Sequence, residues 1–372
     1  MGTEMRNDRG ELRSIISILD VVSMIMILLY HSIHWFFSAA SYESVFMMRL
    51  SGYLVNYGMA TFTFSSGFKL VYNHIRDFKV REFYKVYLVK RAKYLYGIYL
   101  FYPIVCIIFY RVVQRMGLQE VTQNYLAPGD LGKIGLPEWI HFFFGAAPPV
   151  AGHVWFLFVL LLITIIVMCM LALVGVGSLY ILFAVIFTIF LIYPHVLENI
   201  SNYSEIPYYV FIYMTFYLMG CILAHIYTMK QEKIFDIAVI GLASVFVIIF
   251  VLDSLQYKGR IVLAGRLMCL LFKDNTFLRS GVFFPPFLFA SLYPMRHTKV
   301  LDVFGKLKKD TLWIYLWQYP FCIPFFTKII LDIHLDEVVK GYVPGLVTML
   351  TIVSCVVMRG CICKIIVRKK SL

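Results

Sequence analysis

Charge is scarce in this sequence. Asp, Glu, Lys and Arg together make up 15% of its 372 residues, where a soluble domain carries roughly 25%. A chain this poor in charge cannot cover a water-facing surface of its size, which excludes an ordinary soluble enzyme. Acidic side chains are the scarcer sign, 21 against 34 basic ones, leaving a formal charge of +13. In a soluble protein that excess would point to nucleic acid. Here Lys and Arg sit in the short segments between apolar runs, where they act as topology signals and lipid headgroup contacts, so no nucleic-acid partner is expected. The eight cysteines lie mostly inside apolar runs and show no zinc-like spacing. No metal site is indicated, and the thiols are expected to be free and to pack as small apolar groups. There is no internal repeat, no low-complexity tract and no polar stretch long enough for a soluble domain. The chain is therefore read as one integral-membrane domain, 1–372.

What the sequence has in abundance is apolar length: 61% of residues are hydrophobic and 17% aromatic. Runs of about 20 apolar residues, enough to cross a hydrocarbon core of roughly 30 Å, recur along the whole chain. The first run keeps polar groups and lacks a small-residue cleavage site, so it reads as a span and not as a signal peptide. The fold class expected is all-α, a polytopic transmembrane helix bundle of ten spans at 15–37, 47–69, 92–110, 153–174, 178–193, 208–228, 234–252, 280–295, 311–331 and 343–366. With the N-terminus inside, the cytoplasmic segments hold twenty-three basic residues and the opposite side nine. That asymmetry favours both termini in the cytoplasm. Gly259 to Asp274 is too short to span and is placed as an external amphipathic or re-entrant piece. The 111–152 segment reads as an external loop and a plausible cover for a substrate site.

The stretch VVSMIMILLYHSIHWFF, Val21 to Phe37, follows Asp20 and carries His31 and His34. Side chains eleven residues apart on an α-helix differ by about 20° in direction and about 16 Å along the axis, so Asp20 and His31 share a face. With Ser17 and His34 nearby, the helix presents a polar seam that belongs against other helices, because a charge facing lipid costs at least ~2.5 kcal/mol. The bland reading of His34, beside Trp35, is a residue at headgroup level.

The run LDVVSMIMILLYHS resembles the opening helix of the membrane-bound acyltransferase 3 family, whose members often carry an arginine, an apolar run and a histidine eleven residues after the arginine. MATFTFSSGFKL, Met59 to Leu70, resembles that family's second-helix pattern ending in Ser-Gly-Phe, here Ser66, Gly67 and Phe68. GHVWFLFVLLL, Gly152 to Leu162, resembles its His-x-Trp-Phe-Leu helix entry, and DTLWIYLWQYPF, Asp310 to Phe321, its penultimate-helix Ile-Tyr-Leu signature. The resemblance implies a bacterial inner-membrane enzyme that moves an acyl group, commonly acetyl from a coenzyme A thioester, onto a hydroxyl of an extracytoplasmic glycan or lipid-linked sugar. Acyl-CoA would be a co-substrate, with no tightly bound cofactor. Two positions depart from the pattern: aligned on His31, Asp20 replaces the family arginine and Gln318 the penultimate-helix histidine. If Asp20 is matched to the acidic residue that often precedes the arginine, the family histidine becomes His34. His31 fits without that shift.

Acyl transfer to a hydroxyl needs a base for its proton, donors for the oxyanion and cations for the phosphates of the donor. His31 is the candidate base, with His34 in reserve. Lys90 and Lys93, with Arg91 between them, reproduce as lysines the basic-x-x-basic spacing of the family's third helix and are the donor-phosphate candidates. The alternative is that this segment is basic only because it faces inside. His153, Trp155, Tyr315 and Gln318 are acceptor-side candidates, since aromatic rings at the mouth of a span serve either as interfacial anchors or as surfaces for sugars. The competing function is a non-catalytic glycan exporter or assembly partner with the same helices. A secondary transporter is disfavoured by the absence of repeated halves.

Overall fold

The computed structural model describes residues 4–40, 45–115, 152–192, 205–229, 232–257, 283–294, 305–333 and 337–370. Its helices are α1 (Glu4–Ala40), α2 (Val45–His74), α3 (Arg81–Arg115), α4 (Trp155–Val174), α5 (Gly177–Ile192), α6 (Glu205–Thr228), α7 (Glu232–Tyr257) and α8 (Phe284–Leu292). They continue with α9 (Thr311–Trp317), a π-helical turn (Gln318–Cys322), α10 (Ile323–Leu331), α11 (Glu337–Lys340) and α12 (Val343–Lys370). Among the described residues there is no strand, and the expected all-α class is observed. Among the described residues six helical segments are long and apolar enough to cross a membrane: 12–37, 81–109, 155–174, 206–228, 233–252 and 343–363. The expected span 178–193 corresponds to the sixteen residues of α5, and among the described residues of 280–295 the α-helix is the nine residues of α8. The piece 259–274 and all of the 111–152 loop beyond Arg115, up to residue 151, lie outside the described residues.

Helix α1 persists for 37 residues because nothing between Glu11 and Ala40 is proline or glycine. Its buried serines do not break it: Ser17 and Ser23 donate to the carbonyls of Arg13 and Leu19, each at 2.6 Å, so neither of these two hydroxyls is left unmatched.

The chain forms two compact units, and each of α1 to α4 contributes a segment to both. The first comprises Met1–Ser23, Asn56–Lys93 and Val159–Gly305. Within it α7 packs on α8, and α6 packs on α5 and α7. Phe68, Phe235 and Phe289 form a buried aromatic core, with Phe289 centred 5.7 Å from Phe68 and 5.8 Å from Phe235. Helices α2 and α6 approach closely enough that Cys221 Sγ donates to the Gly67 carbonyl at 3.3 Å.

The polar end of the α1 seam belongs to this unit. Asp20, 5% exposed, accepts a hydrogen bond from the Ser65 hydroxyl and forms an ion pair with Lys69, both from α2. The carboxylate is thus held by a cation and a hydroxyl of a neighbouring helix, which gives it a structural role. Asp20→Asn removes the negative charge that pairs with Lys69, and since Lys69 keeps 31% of its side chain exposed, the expected loss is about 1–2 kcal/mol, below that of a fully buried pair. Folded protein recovered from membranes should fall in Asp20→Asn and recover when Lys69→Met is added. Equal recovery from the single and double variants would mean the two side chains are not coupled.

The second unit comprises Met24–Val55, Tyr94–Phe158 and Lys306–Leu372. Here α9, the π-turn and α10 all pack on α12. The Thr348 hydroxyl of α12 donates to Ser32 Oγ of α1 at 3.0 Å, and the buried Asp310 carboxylate pairs with Arg359. Cys322 and Cys355 lie with their sulfurs 3.7 Å apart, and the seven cysteines among the described residues are free thiols.

Candidate functional site

The expected span 311–331 is interrupted, and the interruption builds the site. Pro320 has no N–H to give to the carbonyl of Leu316, four residues earlier, so a continuous α-helix would leave that carbonyl unmatched. The backbone widens into the π-turn instead, in which the Ile323 N–H reaches back five residues to the Gln318 carbonyl. The Leu316 carbonyl is taken by the Tyr102 hydroxyl of α3. Isolated π-turns of this kind are frequent at functional sites.

Around this turn the second unit gathers four of the candidate residues. His153, in the 3-10 turn Gly152–Val154 that leads into α4, is buried. Its imidazole lies edge-on to Tyr102 at 5.8 Å and to Tyr315 at 5.4 Å, and its carbonyl accepts the Tyr315 hydroxyl. His31 is half-buried on α1 and close enough to both His153 and His34 for their charges to interact. His34 is exposed, with its ring stacked on Tyr30 at 6.0 Å. Of the two histidines, His31 is the less exposed and His34 the more exposed.

Gln318 is three residues past Tyr315, and such residues share a helix face. It is fully buried, and neither its amide oxygen nor its amide nitrogen has a hydrogen-bond partner among the described residues. Trp155 is half-buried at the start of α4, its indole edge-on to Phe156 at 5.9 Å. A ladder of rings, Trp313, Trp317 and Phe321, runs along α9 and the π-turn with spacings of 5.3 Å and 4.8 Å.

The basic candidates lie in the first unit. Lys90 and Lys93 are exposed, whereas Arg91 between them is half-buried and near enough to Tyr87 and Tyr217 to interact electrostatically. Its Nε is buried with no hydrogen-bond partner among the described residues. Arg91, not the lysine pair, is the cation that turns inward.

Sequence reasoning missed Tyr102. Its type gave no signal, because the chain has 26 tyrosines; the readable sign was Pro320, which frees a carbonyl that some hydroxyl must meet. Among the described residues no group of three or more His, Cys, Asp or Glu could hold a metal ion.

Many apolar helices of spanning length, with imidazoles and tyrosines collected around a broken helix, define a multi-pass membrane protein with a polar interior site. The sequence profile described as "Acyltransferase domain" matches residues 14–363, nearly the whole chain, and the protein belongs to that family. No curated protein and no solved structure gives a significant match.

Proposed function

We propose that the protein is an O-acyltransferase that moves an acyl group, acetyl in the simplest case, from acyl-CoA to a hydroxyl of an extracytoplasmic polysaccharide or lipid-linked sugar. In this reading it is a single functional domain with ten spans, sits in a bacterial inner membrane and keeps both termini in the cytoplasm. The observation that carries it is the packing of His153 against Tyr102 and Tyr315 beside the broken helix, in the same unit as His31. A neutral imidazole can accept the proton of a sugar hydroxyl as the hydroxyl oxygen attacks the thioester carbonyl. The carbon–sulfur bond then breaks, coenzyme A leaves as the thiol once protonated, and the sugar ester remains. His31 is the base, with His34 its reserve. His153, Trp155, Tyr315 and Gln318 line the acceptor side. Arg91, with Lys90 and Lys93, meets the phosphates of the donor.

Mass spectrometry of the envelope glycan from a deletion strain tests the reading. Glycan present but lacking an acyl mass supports the transferase; glycan absent from the surface supports an exporter and overturns it.

The donor side makes a separate prediction. Hydrogen bonds to a charged group contribute about 1.5–3 kcal/mol, so Arg91→Ala should raise the KM for acetyl-CoA by about tenfold or more. Lys90→Ala with Lys93→Ala, two exposed point charges, should raise it only several-fold. Steady-state kinetics in membrane vesicles reads both, and an unchanged donor KM in Arg91→Ala removes Arg91 from the site.

A further inference from the structure

Gln318 opens the π-turn with its whole side chain buried and both polar atoms of its amide unmatched among the described residues. A buried polar group left in that state costs about 1–3 kcal/mol, and a leucine there would avoid the cost. The hydroxyls of Tyr102 and Tyr315 are committed elsewhere, Tyr102 to the Leu316 carbonyl and Tyr315 to the His153 carbonyl. The amide, with both its donor and its acceptor unmatched among the described residues, is therefore placed to meet a ligand.

We infer that Gln318 determines acceptor specificity by binding two adjacent hydroxyls of an uncharged sugar ring, Oε1 accepting from one and Nε2 donating to the other. This rests on the acyl-transfer reading and adds the chemical class of the acceptor. The amide offers one donor edge and one acceptor edge side by side. A carboxylate or phosphate only accepts, so it would satisfy Nε2 and repel Oε1; an ammonium only donates, with the opposite failure. An N-acetyl group has both functions, but its trans amide points N–H and C=O in opposite directions, so the two cannot reach one glutamine amide together. Neighbouring ring hydroxyls can, because each rotates to donate or accept as required. A site built to hydrogen-bond hydroxyls also rejects sugars that lack them, because their absence leaves its own buried groups unmatched.

The test uses membranes containing the full-length protein, with acetyl-CoA as donor and deacylated envelope glycan from the deletion strain as acceptor. Gln318→Leu should raise the acceptor KM by about ten- to hundredfold. The donor KM should not move, and the variant should melt at or above the wild-type temperature, since an unmatched amide has been removed. Methyl α-mannopyranoside, which carries a vicinal diol, should compete with the glycan in the wild type and not in Gln318→Leu. Its 2,3-dideoxy analogue should compete in neither. An unchanged acceptor KM in Gln318→Leu, or a fall in its melting temperature, overturns the assignment by showing that the amide serves the fold or nothing. Competition by an N-acetyl sugar lacking adjacent hydroxyls also overturns it. No transfer by the wild type would instead overturn the acyl-transfer reading beneath it.

Discussion

His31→Ala should lower glycan acylation by about 10²–10⁴-fold at matched protein level, the usual contribution of a general base. The substitution removes an imidazole from the second unit's polar centre without opening a large cavity, because His31 is only half-buried. Removing a polar group from a membrane helix is also less damaging than most core changes, so the protein should still insert. His31→Gln keeps a hydrogen-bonding side chain and discards the titratable nitrogen; it should be as inactive as the alanine variant. His34→Ala should lose little, since His34 is exposed and stacked on Tyr30. Acyl content of the glycan, measured against immunoblotted protein, separates these outcomes. Full activity in His31→Gln would rule out proton transfer at this residue, and a loss confined to His34→Ala would move the base one turn along α1.

The parts of the fold that hydropathy could read were those where apolar length alone decides. The expected spans 15–37, 92–110, 153–174, 208–228, 234–252 and 343–366 each coincide, to within three residues at the overhanging end, with a helical segment long and apolar enough to cross a membrane. At 311–331 the apolar count was right and the helix was not continuous, because hydropathy weighs side chains while Pro320 acts through the backbone N–H it lacks. At 280–295 the same blindness applies: Pro285 and Pro286 suit the first turn of a helix, and α8 accordingly starts at Phe284. The site was legible as residue types and not as an assembly. Motif order pointed to His31, His153, Tyr315 and Gln318 separately, but nothing in a single sequence brings His31 near a residue more than a hundred positions away. Asp20 was readable as a buried carboxylate in need of a cation or hydroxyl; that Lys69 and Ser65 supply them follows only from the packing of α2 on α1.

The Ser66-Gly67-Phe68 signature shows no such ambiguity once α2 and α6 are placed, and it sets the largest expected effect on the fold. A Cβ added at Gly67 would lie 2.0 Å from the Tyr217 carbonyl oxygen, and one at Gly220 would lie 2.1 Å from that of Phe64. Both obstacles are backbone, so no side chain can swing aside and the helices themselves must separate. Close crossings of this kind, made possible by small residues, are how helices associate where lipid removes the hydrophobic driving force. Overpacking typically costs about 1–3 kcal/mol, and with a rigid obstacle on each side the upper end or more is expected. Gly67→Ala and Gly220→Ala should each sharply reduce folded protein in membranes and its melting temperature in detergent. The double variant should lose less than the sum of the two, because both report on one crossing. Gly241→Ala is the control, since a Cβ there meets nothing within 4 Å, and alanine in place of a helical glycine should leave stability unchanged or raise it slightly. The protein that does fold in the Gly67 and Gly220 variants should keep its activity per molecule, because the crossing is packing and carries no chemistry. Wild-type melting in Gly67→Ala would mean the two helices do not meet there, and the signature would then need a functional explanation.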